Sequence, residues 1–130
     1  LDRRLVERGF FERARARGVE VHIRSVFLQG VAFLDANALP AHVAEARASL
    51  ERIDRWAQTM GTNRACAFLA YALSLGAARV LLGCERLHQL QRNVSTYAEA
   101  QALCEHIGDL ATELPSLSEA LLDPAQWSLT

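Results

Sequence analysis

Only two stretches of this 130-residue chain have the make-up of β-strands, and that scarcity limits its fold more than any other feature. The first, Val19 to Phe27, places β-branched residues at Val19, Val21 and Ile23, then runs apolar through Val26, Phe27 and Leu28. The second is Arg79-Val80-Leu81-Leu82-Gly83. The other apolar segments have helical spacing, so the order reads helix, strand, helix, helix, strand, helix, helix. Strands alternating with helices imply a parallel sheet, but two strands leave edges and faces of such a sheet uncovered. The expectation is a single partial domain over residues 1–130, the downstream part of a larger α/β protein. The chain starts at Leu1 with a helix and no charged-then-apolar signal segment ahead of it.

The helices can be placed from their apolar positions. Val6, Phe10 and Ala14 recur between Arg3 and Arg17, with Arg and Glu on the other faces and Gly18 as a stop. Glu7 and Glu12 interleave with the arginines, which reads as a solvated, ion-paired face. After a connector ending near Pro40, Val43, Ala46, Leu50, Ile53, Ala57 and Met60 keep a three-four alternation, predicting a long surface helix with one buried stripe. Gly61 ends it, and Thr62 or Asn63 caps the next helix, whose Ala65, Phe68, Leu69, Ala72 and Leu73 mark it as core. Leu87, Leu90, Val94 and Tyr97 follow the second strand at helical spacing. A further helical stretch holds Leu103, Ile107 and Leu110, then come Pro115, a capping box from Ser116 to Glu119, and a tail with Pro124 and Trp127.

Composition removes several function classes. The net charge of −1 gives no global field toward nucleic acid or anionic lipid. The two helices joined at Gly61 resemble a helix-turn-helix, but Arg64 to Gly76 is nearly all apolar after its first residue, unlike a groove-reading helix. No apolar run has membrane-spanning length. Cys66, Cys84 and Cys104 are odd in number and widely spaced, and they read as reduced residues of a cytoplasmic protein. Cys84 and His88 alone could share a metal, and two ligands make a poor site, so no metal is expected. All 14 basic residues are arginine; chemistry that needs lysine has no source here.

Two segments carry the chemistry, because each lies at the carboxyl end of a strand, where parallel α/β proteins bind ligands. One is Arg24-Ser25-Val26-Phe27-Leu28-Gln29-Gly30; the other is Gly83-Cys84-Glu85-Arg86-Leu87-His88-Gln89-Leu90-Gln91-Arg92-Asn93. Ser25 offers a hydroxyl and its amide, and Gly83 permits close backbone approach. Asn93 and Gln89, one turn apart on one side, offer amides to a base edge. Each residue also has a plain local reading: Ser25 in a turn, Gln29 capping a loop, Glu85 and Arg86 starting a helix.

Together these segments resemble the carboxyl-terminal part of the aldo/keto reductase family. Gly18 to Gly30 is similar to that family's seventh strand and following loop, and Arg79 to Asn93 to its eighth strand and cofactor helix, with the glycine, leucine and asparagine at matching separations. Leu1-Asp2-Arg3-Arg4 would be the exit of strand six. The resemblance covers about residues 1–100, leaving 101–130 as a carboxyl-terminal helix and tail. It implies the end of a (β/α)8 TIM barrel, helix-rich with about two parallel strands, in an oxidoreductase that reduces a small carbonyl substrate with NADPH or NADH. Ser25 and Phe27 match positions that hold the pyrophosphate. Arg24 stands where many members stack an aromatic ring on the nicotinamide, and Gly83, Cys84, Glu85, Gln89 and Asn93 match positions around the adenosine.

Acidic Glu85 opposes a 2′-phosphate, whereas Arg86 or Arg92 favours one; the family leans to NADPH. The family's tyrosine, lysine, aspartate and histidine lie on earlier strands, so no catalytic residue is expected in this chain. Trp127 either closes over a substrate or pins the tail to the outer helices. A second reading is a non-catalytic interaction or oligomerisation module that uses the sheet edges and the stripe from Val43 to Met60.

Overall fold

The computed structural model describes residues 1–127. It is a helix-rich α/β arrangement with two short parallel strands, as the element order predicts. The expected first helix is two: α1 (Arg4–Glu7) and α2 (Phe10–Ala16). Gly9 separates them with φ +61, a left-handed conformation that a helix interior cannot contain. The ion-paired face is sparse: Arg3 meets Glu7 at 3.6 Å, and Arg4 meets Asp2 at 2.8 Å and Glu119 at 3.2 Å.

The first strand is much shorter than its apolar pattern suggests. β1 is His22–Ile23, pairing in parallel with Arg79–Val80 through His22↔Arg79 and Ile23↔Val80. The Ala78 amide donates to the Val21 carbonyl at 2.9 Å and the Leu81 amide to Ile23 at 2.8 Å. Beyond Arg24 the backbone turns left-handed at Ser25 (φ +58), Leu28 (+42), Gln29 (+50) and Gly30 (+89). Val26, Phe27 and Leu28 pack against the core from a coiled loop, so the continuous apolar run expected as a strand buried on both faces is not strand. Three 3-10 segments follow, Leu28–Phe33, Ala36–Ala38 and Ala41–Ala46.

Helix α3 (Arg47–Thr59) takes over from the last of these, so the expected long helix begins as 3-10. Its stripe of Val43, Ala46, Leu50, Ile53 and Ala57 is buried, which removes it as the docking surface of the interaction-module reading. Gly61 then turns the chain at φ +66, and Asn63 caps α4 (Arg64–Ser74) by accepting from the Cys66 amide at 3.1 Å.

Helix α4 is the centre of the fold, in contact with α3, the Leu28–Phe33 segment, α5 (Leu87–Leu103) and α6 (Ile107–Glu113) once β2 (Arg79–Val80) has been crossed. Its first residue, Arg64, is a cation at a helix amino terminus, which the dipole disfavours. Asp54 offsets this through both carboxylate oxygens, with Nε–Oδ1 at 2.6 Å, and the guanidinium also donates to the Leu34 carbonyl at 2.6 Å. One half-buried side chain thus ties α3, α4 and the loop after β1 together.

The stretch expected as one helix around Leu103, Ile107 and Leu110 breaks at Cys104–His106, between α5 and α6. The expected cap moves from Ser116 to Ser118, whose hydroxyl accepts from the Leu121 amide at 3.3 Å to start α7 (Glu119–Leu122). Glu45 holds Ser118 in place, accepting from its amide at 2.7 Å and its hydroxyl at 2.5 Å. Trp127 donates from Nε1 to the Leu121 carbonyl at 3.1 Å and lies against His42 with centroids 5.2 Å apart, the pinning geometry of the two expected.

Candidate functional site

Because β1 and β2 run parallel and in register, the chain leaves both strands at the same end of the sheet, and the two chemistry-bearing segments start there together. At the β1 exit Arg24 and Ser25 are exposed. Arg24 has no ion-pair or hydrogen-bond partner among the described residues, and the Ser25 hydroxyl likewise has none, while its carbonyl accepts from the Leu28 amide at 2.9 Å. Left-handed φ at a non-glycine residue costs energy, so the surrounding contacts must hold Ser25 in place. Phe27 is half-buried against Phe33 with ring centroids 4.9 Å apart, and its carbonyl closes the turn by accepting from Gly30 at 3.0 Å and Ala32 at 3.3 Å. Its ring is a structural anchor and its carbonyl is committed to the turn.

At the β2 exit Gly83, Cys84 and Glu85 are exposed, and a Cβ at Gly83 would meet nothing within 4 Å. The two amides expected to face a base instead organise the loop. Gln89 Oε1 accepts from the Glu85 amide at 2.7 Å and from Arg86 at 3.1 Å, satisfying donors at the start of α5. Asn93 Nδ2 donates to the Gly83 carbonyl at 3.5 Å. Gln89 keeps its amide protons and Asn93 its oxygen for a ligand. The Arg86-x-x-Gln89 spacing is that of a helix-start box with only its second half functional, since arginine has no acceptor.

Sequence reasoning missed two features. The first is the outward orientation of the α5 stripe: Leu87 is 71% exposed and Val94 63%, while the core side of the helix holds Thr96 and Ala100. Sidedness was visible in the spacing; direction was not. The second is a cleft of about 860 Å³ beneath β1, lined by Phe10, Phe11, Val21, Phe68, Tyr71 and Leu110 among others, with Arg24 and Ser25 on its wall. Burial raises the Tyr71 hydroxyl above its ordinary value, so it remains a neutral donor there.

The three cysteines are free, and burial raises the thiols of Cys66 and Cys104. Among the described residues no group of three His, Cys, Asp or Glu side chains could hold a metal, and no helix is long and apolar enough to cross a membrane.

What the fold and these loops define is a helix-rich α/β chain with two ligand-accessible strand ends. Comparison with known proteins adds no family to that class: no protein-family model matches the chain, and neither a curated protein nor a solved structure is significantly similar to it.

Proposed function

We propose that this chain is the carboxyl-terminal portion of an aldo/keto reductase-like oxidoreductase, contributing the pyrophosphate and adenosine side of an NADPH or NADH site at the end of a (β/α)8 barrel. The supporting observation is the parallel, in-register pairing of His22–Ile23 with Arg79–Val80, which sends both loops out at one end of the sheet. The donor set fits a dinucleotide in chemistry: the free Ser25 hydroxyl suits a phosphate, the unpaired Arg24 guanidinium suits stacking on the nicotinamide, and the free polar atoms of Gln89 and Asn93 suit a base. Phe27 contributes through loop shape, and Gly83 and Cys84 through open backbone.

The bound cofactor would supply the hydride. This chain's own residues bind and orient it, and the tyrosine–lysine acid of the resembling family has to come from elsewhere, since the chain has no lysine. Glu85 disfavours a 2′-phosphate and the exposed Arg86 and Arg92 favour it, so the two cofactors are to be compared directly. Fluorescence titration of residues 1–130 with NADPH and NADH is the test. The expected result is saturable binding, weakened by Asn93→Leu, with no carbonyl turnover. Carbonyl reduction by the chain alone, or binding indifferent to Asn93→Leu, contradicts the reading.

A further inference from the structure

We infer that the outward row of α5, Leu87, Leu90, Val94 and Tyr97, is a self-association surface on which a second copy of this chain docks antiparallel. The inference does not depend on the dinucleotide reading. The four residues recur at intervals of three, four and three, the seam spacing of a two-helix coiled coil. All four are exposed, because α5 meets α4 through another side, where Thr96 and Ala100 are buried.

Charge and symmetry select the occupant. At 3.6 residues per turn Arg92 and Glu99, the formal charges within α5, fall on the side of the helix away from the row, where Glu99 accepts from the Thr62 hydroxyl at 3.3 Å. The row itself is bordered by neutral Gln91, Ala98 and Gln101. Two identical rows therefore meet without opposing like charges, and a charged partner face would find nothing to pair with. An antiparallel seam sets Leu87 against Tyr97 of the second copy and Leu90 against Val94, and each pairing occurs twice about one two-fold axis. A parallel seam would instead bring the two Arg86 residues, which cap the helix, side by side. The exposed row and its borders amount to about 500 Å² per copy, so a pair removes about 1,000 Å², the lower bound for a specific interface. An interface of that size implies a dissociation constant on the order of 10–100 μM, so the dilute chain is monomeric.

Sedimentation equilibrium of residues 1–130 from about 2 μM to about 500 μM is the test. The expected result is a mass that rises reversibly with concentration from 14.4 kDa toward twice that value. Leu90→Glu and Val94→Arg, each made singly, should weaken association roughly tenfold or more, since each buries a charge against an apolar side chain. An equimolar mixture of the two variants should associate more tightly than either alone, because the antiparallel seam places Glu at 90 beside Arg at 94 of the other copy. Both positions are exposed, so the variants fold, and their circular dichroism at low concentration should match the parent. A chain that stays monomeric throughout overturns the inference and leaves the row to a different polypeptide. Association that survives both substitutions assigns the contact elsewhere, such as the unpaired strand edges, and overturns it as well. A mixture no tighter than its components contradicts the antiparallel seam.

Discussion

Helices α4 and α5 carry apolar residues of similar regularity and bury them to opposite extents. In α4, Leu69 is 1% exposed, and Cys66, Ala67, Phe68, Ala70 and Ala72 are buried with it. In α5 the regular positions Leu87, Leu90, Val94 and Tyr97 face outward, and the contact with α4 is made through small residues such as Thr96 and Ala100. A helical period reports that an apolar face exists; what covers it depends on the packing partner. Exposed apolar rows of this kind mark contact surfaces. Leu81, just beyond β2, is exposed as well, and the outer edge of β2 has no paired strand among the described residues.

The contrast has direct energetic consequences. Leu69→Ala should destabilise the chain by about 2–4 kcal/mol, the sum of lost transfer energy and a residual cavity. Leu90→Ala, on the outward face, should change stability by less than about 0.5 kcal/mol. Urea denaturation of both variants measures the difference. Equal losses would mean that α5 buries its stripe in solution, and the comparison would fail.

A smaller effect concerns acid. Ser118 anchors α7 through Glu45, and hydrogen bonds from its hydroxyl and then its amide hold the Glu45 carboxyl below the ordinary value of 4.5. A depressed folded value means the contribution is fully present above about the ordinary value and disappears as pH falls through the lower folded one. Thermal melts of Glu45→Gln should therefore show a lower midpoint than the parent at pH 7 and converge with it in acid. The loop before α5 has no carboxylate clamp of this kind among the described residues, whereas Glu20, lowered by His22 beside the strand pair, and Asp2, lowered by Arg4, contribute to the acid response along with Glu45. Parallel melting curves at all pH values would remove Glu45 from that role.

The parts of this fold that were legible in the sequence are those where one local rule decides the outcome. Gly61 ending α3, Asn63 capping α4 and the buried stripe from Val43 to Ala57 follow from backbone freedom, side-chain capping and period. The break at Gly9 and the left-handed turns at Ser25, Leu28, Gln29 and Gly30 were missed because each interrupts an apolar pattern, helically spaced in the first case and continuous in the second. At the site, sequence placed both segments at strand ends, and the parallel pairing agrees. It did not foresee that Gln89 would be half-committed to its own helix, a capping geometry that only the backbone path around Glu85 and Arg86 creates.

On the proposed reading the two strand-end loops form one nucleotide-binding edge. Amide chemical shifts of isotope-labelled residues 1–130, followed during titration with NADPH, test it most directly. Saturating shifts with a common midpoint are expected at residues 24–27 and 83–93, with little change in α3 and α7. Shifts confined to one loop, or clustered away from both, would contradict it.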